Sequence, residues 1–194
     1  MDTAPQTLEI KEDAPAVFHA PSCSALPPVL DACCGARMMW YNKADRRAIF
    51  HDKRSVDYGK VQNGRVLTIA PDIQGNFSAM PFPDESFRLV VFDPPHFSKI
   101  GETGVLGRSY GKLFPGWEDE IQAGFAECWR VLKPEGVLIF KWCSTEIPLA
   151  RVLELAPDKP LFGHNTGHKA QTHWMTFLKP NAPIQPHEGR AGHS

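Results

Sequence analysis

At 194 residues the chain fits one domain of ordinary size with a real core, rather than two folded domains. Hydrophobic residues make up 42% and charged residues 22%, the balance of a soluble globular protein, and no apolar run approaches the roughly 20 residues needed to cross a bilayer. A formal net charge of −1 excludes a global basic field, so any contact with nucleic acid has to be local.

Residues 1–27 mix Pro, Ala, Ser and acids without periodicity and read as a mobile arm, with the part near Phe18 expected to lie against the domain. Met1 to Asp13 carry acids instead of an export signal. Val29-Leu30-Asp31-Ala32-Cys33-Cys34 reads as a short strand, Gly35 lets the chain turn, and Ala36 to Asn42 is expected to start a helix. The five cysteines are odd in number and lack a C-x-x-C pair, which fits a reducing, cytoplasmic compartment better than a disulfide framework or a zinc site. Ala48 to His51 reads as a second strand ending in Asp52, with basic Lys53-Arg54 after it. Val66 to Ala70 is the expected third strand, followed by a loop from Pro71 to Phe77 that includes Gly75-Asn76-Phe77.

Phe87 to Phe97 is the stretch around which the rest is organised. Leu89 to Phe92 is an unbroken apolar run with paired β-branched residues, the pattern of a strand covered on both faces, and it ends abruptly in Asp93-Pro94-Pro95-His96. The two prolines lack N–H groups and fix φ, so they hold the Asp93 carboxylate and the Pro94 carbonyl in set directions beyond the strand's carboxyl end, where open α/β sheets bind ligands. Taken alone, the same residues also serve as a strand stop and turn. Residues 98–116 hold Gly101, Gly104, Gly107, Gly111 and Gly116, too many for a regular element, with Lys99, Arg108, Tyr110 and Lys112 between them. This segment, together with Phe97, is expected to be a mobile lid or acceptor clamp offering phosphate and stacking contacts.

Trp117 to Leu132 is the clearest helix, with Ile121, Phe125, Cys128, Trp129 and Leu132 at spacings of three and four, and Pro134-Glu135-Gly136 stops it. Val137 to Phe140 is another buried strand, followed by Lys141-Trp142-Cys143 and a short helix near Ile147 to Leu155. Leu161-Phe162 and Thr172 to Leu178 supply the last strands, and residues 180–194 read as a disordered tail. Strands alternating with helices predict a doubly wound, mostly parallel α/β sheet closed by an antiparallel C-terminal strand.

Taken together, residues 28–179 resemble the Rossmann-like S-adenosylmethionine-dependent methyltransferases, whose sheet has seven strands. Leu30-Asp31-Ala32-Cys33-Cys34-Gly35 is similar to their cofactor motif, Asp52 to their ribose-binding acid, and Gly75-Asn76-Phe77 to the loop that touches adenine. Phe82-Pro83-Asp84-Glu85-Ser86-Phe87 and Leu132-Lys133-Pro134-Glu135-Gly136 are also phrases typical of that family, and small phage and prophage proteins described as DNA methylases are similar. Asp93-Pro94-Pro95-His96 resembles the Asp-Pro-Pro-aromatic motif of amino-methyltransferases acting on adenine, cytosine or guanine N2. The resemblance implies S-adenosyl-L-methionine as cofactor, held by Asp31, Cys33, Cys34, Gly35, Asp52, Asn76, Phe77 and Asp93. It also implies Asp93, Pro94, Pro95 and His96 at the reacting centre, and adenine N6 in DNA, before RNA or cytosine N4, as acceptor. Asp93 and the Pro94 carbonyl would accept the two N–H groups of an exocyclic amine, freeing its lone pair.

The sequence departs from that pattern at three positions: Arg37 stands where another Gly is common, His96 where Tyr, Phe or Trp is usual, and Asn76 where Asp is commoner. Phe97 competes with His96 as the platform for the base. No metal is expected, since His164, His168 and His173 lack ligand spacing. Lys141 is similar to the lysine of ribose methyltransferases, yet a lone lysine at a strand end is ordinarily a solvated cap. A small-molecule amine methyltransferase and a noncatalytic nucleotide-binding or scaffolding module stay open as alternatives. A homodimer or an auxiliary protein partner would supply the basic footprint that the net charge lacks.

Overall fold

The computed structural model describes residues 26–61, 64–166, 169 and 171–181. The expected arm as far as residue 25, with Phe18, the tail from residue 182, and His168 lie outside the described residues. Seven strands make the main sheet: β1 (Val29–Asp31), β2 (Ala48–Asp52), β5 (Ile73–Gln74), β6 (Phe87–Phe92), β7 (Leu132–Cys143), β8 (Phe162–Thr166) and β9 (Thr172–Leu178). Their order is β5-β2-β1-β6-β7-β9-β8, with every neighbour parallel from β5 to β7 and antiparallel at β7–β9 and β9–β8. The chain therefore runs outward from β1 through β2 to β5, then returns to the other side of β1 at β6. This reversal opens a crevice at the strand carboxyl ends.

The crossovers are leaner than expected. No helix follows Gly35; residues 32–47 pass through turns, because Gly35 (φ 49°) and Arg37 (φ 53°) both take the left-handed conformation, which an α-helix does not accept. The expected third strand, Val66–Ile69, is β4, and it pairs antiparallel with β3 (Val56–Lys60) in a separate two-stranded hairpin. The third strand of the main sheet is instead Ile73–Gln74, inside the stretch read as loop. It is only two residues long, below the reach of any periodicity.

Helical crossovers follow β6 and β7. Helix α2 (Trp117–Val131) buries Ile121, Gly124, Phe125, Cys128 and Val131, with acids in its first turn and Arg130 in its last, where the helix dipole favours each sign. Helix α3 (Leu149–Leu153) precedes β8. The core is aromatic: Phe77, Phe92, Phe125 and Phe140 meet at ring separations of 4.8 to 5.8 Å, tilted or edge-on. A third helix, α1 (Val105–Tyr110), lies within the glycine-rich stretch expected to have no regular element. Gly107 explains it, since a Cβ there would sit 2.3 Å from the Gly101 carbonyl; the helix packs directly on backbone, so the glycine serves close approach instead of flexibility. Among the described residues no helix is long and apolar enough to cross a membrane.

Candidate active site

Parallel register sets three carboxylates along one edge. Asp31 ends β1, Asp52 ends β2 and Asp93 follows β6, while Lys141 rises from β7, whose Phe140 pairs with Phe92. Above them lies a cavity of about 400 Å³, the size of a small-molecule site. Its lining includes Cys33, Cys34, Gly35, Asp52, Phe77, Asp93, Pro95, Tyr110, Lys112 and Lys141.

Asp52 Oδ2 accepts the Gly35 N–H (2.8 Å), which ties the first turn to the second strand. Its Oδ1 accepts the Arg54 backbone N–H (2.9 Å) and Nε (3.2 Å), and Arg54 Nη1 reaches the Arg108 carbonyl in α1 (3.1 Å). Arg54 thus bridges the acid at the cavity to the element covering it. Asp31 does not line the cavity; buried, it accepts from Trp40 Nε1 (2.7 Å) and the Cys33 N–H (3.3 Å). Burial and neighbouring acids push the Cys33 thiol well above its ordinary range. Burial first, then Asp31 and Asp52, take Cys34 up to about 12, so neither is a nucleophile at neutral pH.

Asp93 pairs with Lys141 (Oδ2 to Nζ 2.6 Å), the two side chains being 11% and 17% exposed. Lys141 is therefore not the solvated cap expected of a strand-end lysine; its ammonium also lies 5.6 Å from the Trp174 ring. Asp93 Oδ1 is buried and, among the described residues, has no hydrogen-bond partner. An orphan acceptor of this kind carries a desolvation penalty that an entering donor would relieve.

Not all of the expected centre faces the cavity. Pro94 and His96 are buried away from its lining, with His96 only 4% exposed and packed between Phe97 (4.5 Å), Tyr110 (5.8 Å) and Trp142 (5.9 Å). Burial, with Lys141 adding to it and Asp93 opposing, holds the His96 imidazole below its ordinary pKa. The neutral ring donates Nδ1–H to the Pro94 carbonyl (3.2 Å), leaving that oxygen one lone pair. Phe97, Lys99, Arg108 and Asn76 also lie off the cavity lining. Asn76 is exposed and accepts the Ser78 N–H (3.3 Å), and the Arg108 guanidinium stacks 5.4 Å from Tyr58.

Segment 98–116 is tied down. Glu146 Oε2 accepts the Ser98 N–H (2.7 Å), the Ser98 hydroxyl (2.8 Å) and the Lys99 N–H (3.0 Å), and the Leu113 N–H closes onto the Phe97 carbonyl (2.8 Å). Glu146, Arg54 and Tyr58 carried no sequence signal of their own beyond Arg54 standing two residues after Asp52. The departure at Arg37 has a structural answer. Arg37 keeps the positive φ that a glycine would favour and is held there by stacking 3.7 Å over Phe50 and by bonds to the Lys43 (2.6 Å) and Ala70 (2.7 Å) carbonyls. Among the described residues no group of three or more His, Cys, Asp or Glu is placed to hold a metal; His173 spends both nitrogens on Asn165 and Ser144.

No family model and no curated protein matches the sequence. Among solved structures, the chain is similar to the PH0226 protein from Pyrococcus horikoshii OT3, at 16% identity over 78% of this chain and 81% of that one, with a TM-score of 0.48. It is also similar to a TehB-like SAM-dependent methyltransferase from Corynebacterium glutamicum, at 18% identity over 78% and 79%, with a TM-score of 0.46. A third is TTHA0409 from Thermus thermophilus, complexed with S-adenosyl-L-methionine and provisionally described as a DNA modification methylase, at 18% identity over 59% and 57%, with a TM-score of 0.38.

Proposed function

We propose that this chain is an S-adenosylmethionine-dependent methyltransferase acting on an exocyclic base amine, adenine N6 first and DNA before RNA, in a pared-down doubly wound frame. The observation that carries this reading is the buried Asp93 Oδ1, without a hydrogen-bond partner among the described residues, beside a cavity that also holds Asp52 and the Gly35 turn. These residues fit the cofactor. Asp52 and the Gly35 backbone would hold its ribose side, with the Arg54 guanidinium giving way at Asp52, and Phe77 offers an aromatic face for its adenine. When bound, the cofactor supplies an electrophilic sulfonium methyl.

The chain's own work is at the amine. Asp93 Oδ1 accepts one N–H, which localises the nitrogen lone pair, and the carboxylate would take that proton once the nitrogen has accepted the methyl group, whose old bonding pair would leave on the sulfur. Lys141, fixed on Oδ2, turns the carboxylate so that Oδ1 is the acceptor left for the amine among the described residues. The Pro94 carbonyl, off the cavity lining and already accepting from His96 Nδ1–H, is left out of the amine's contacts, and His96, neutral and buried, sets the direction of that carbonyl instead of stacking on the base. Tyr110, which lines the cavity, is then a flat ring available to an acceptor base.

The test is to offer radiolabelled S-adenosylmethionine with duplex DNA, single-stranded DNA, RNA or a metabolite extract, digest, and identify the labelled product by mass spectrometry. Label on a base amine is expected, and Asp93→Ala should lower turnover at least about a hundredfold while leaving cofactor affinity within about threefold. Label on a carbon or a ribose oxygen, or only in the metabolite fraction, sinks the base-amine assignment.

A further inference from the structure

Beside the cavity lies a smaller recess of about 40 Å³ that shares Ala36, Met38 and Ser109 with it. Among the described residues, Lys43 and Arg65 are the charged side chains in its lining, and no acid joins them. The main cavity differs, since its four cations, Lys53, Arg54, Lys112 and Lys141, share the lining with three acids, Asp52, Asp93 and Glu102. The recess also sits in the basic part of the chain: between Arg37 and Arg65 the sequence carries eight Arg and Lys against three Asp, although the whole chain stands at −1. Here is the local positive field that the net charge left room for.

The two cations are presented from opposite supports. Lys43 sits on the turn after β1, and Arg37 ties that turn to the end of β4 through the Lys43 and Ala70 carbonyls and an ion pair with Asp72 (3.0 Å). Arg65 comes from the hairpin, immediately before β4, and its Nη2 reaches Met38 Sδ (3.5 Å) in the shared wall. Lys43 is exposed and, among the described residues, makes no ion pair. A lysine point charge and an arginine fork lining one recess, with no acid in that lining among the described residues, suit a tetrahedral phosphate.

We propose that this recess is a phosphate subsite, in which Lys43 and Arg65 hold one phosphodiester of a nucleic-acid strand whose adjacent base enters the cavity. The proposal rests on the base-amine reading above. It also accounts for how a chain without a separate target-recognition domain can orient its acceptor, since phosphate contacts fix register without reading sequence. The phosphate of a free nucleotide has the same chemistry, so the two sources have to be separated by experiment.

Fluorescence anisotropy with a labelled single-stranded oligonucleotide, competed by adenosine 5′-monophosphate, tests it on the wild type, Lys43→Glu, Arg65→Glu and the double variant. Both side chains are exposed, Lys43→Arg should bind as the wild type does, and Lys159→Glu serves as a distant control. The double variant is expected to bind the oligonucleotide at least about tenfold more weakly, with a log–log salt slope smaller by about 0.7, the value for one phosphate on a single strand. Mononucleotide affinity should be unchanged; an equal loss there makes a free nucleotide the source and overturns the strand assignment. Oligonucleotide affinity and salt slope equal to wild type overturn the subsite itself. A wild type that binds the strand through these residues yet transfers no label to it defeats the base-amine reading and leaves the subsite standing. Undiminished label transfer by the double variant at subsaturating strand does the reverse.

Discussion

Asp31 is the residue whose setting conflicts most with its charge. Burial drives its carboxyl up to about 7; the Trp40 indole N–H opposes this, while Asp93 and Asp52 along the same edge add to it. The unfolded chain releases that proton near pH 4, so between about 4 and 7 the folded state holds a proton that the unfolded state does not. The stability contributed by this raised group is present below the unfolded value and is lost as pH rises through about 7. His51 and His96, pushed down by burial, act in the opposite sense, disfavouring the fold as pH falls below about 6.5. An Asn at position 31 keeps an oxygen for Trp40 and Cys33 but cannot ionise. Relative to Asp31→Asn, the wild type is therefore expected to lose stability with rising pH, by at most about 1.4 kcal/mol per pH unit across that window. Urea unfolding at about pH 5 and about pH 8 measures it, and a wild-type-to-variant difference that does not change with pH would refute the assignment.

At the scale of elements, α2 shows how packing overrides propensity. Gly124 in mid-helix should cost about 1 kcal/mol relative to Ala. Yet a Cβ there would lie 2.6 Å from Phe77 and 2.7 Å from Phe92, both buried, and Phe92 is itself packed against Phe125 and Phe140. Overpacking typically costs about 1–3 kcal/mol, which exceeds the propensity gain. Gly124→Ala is thus expected to lower the midpoint of denaturant unfolding and, because Phe77 lines the cavity, to weaken cofactor binding; an increase in stability would show that the rings can yield. The sequence made α2 legible through apolar residues spaced by three and four, and β6 through an unbroken apolar run cut off by Asp93-Pro94-Pro95. It hid β5, with two residues, and disguised the β3–β4 hairpin, whose Leu67 and Ile69 alternate like a main-sheet strand. The helix expected after Gly35 failed on backbone dihedrals that no apolar pattern encodes. Within the site, Asp52, Gly35, Phe77, Asp93, Tyr110 and Lys112 do line one cavity, since strand ends and a covering loop are topological facts. His96, Asn76, Phe97, Lys99 and Arg108 depend on side-chain direction, which adjacency in sequence does not fix.

For the whole molecule, the reading of the cavity becomes a statement about linked stability. A ligand that binds only the folded state adds about 2.7 kcal/mol at a concentration one hundred times its Kd. For a chain of this length each kcal/mol moves the melting temperature by about 2–4 °C, so S-adenosylhomocysteine at that excess should raise it by about 5–10 °C. Asp52→Ala removes charge-assisted bonds to the ribose worth about 1.5–3 kcal/mol. At the same ligand concentration its excess over Kd falls to between about tenfold and parity, and the residual shift to about 1–5 °C. Asp93→Ala should keep the full shift, because its unpartnered oxygen, among the described residues, is proposed for the amine in place of the cofactor contact that the resemblance also implied for it. Thermal unfolding of the three proteins with and without ligand therefore separates the roles of two acids that stand on the same sheet edge. A wild type that shows neither heat nor a shift with S-adenosylmethionine or S-adenosylhomocysteine removes the methyltransferase reading. A full shift in Asp52→Ala keeps that reading but moves the ribose to other residues, with Arg54, already bridging this edge to α1, the first to examine.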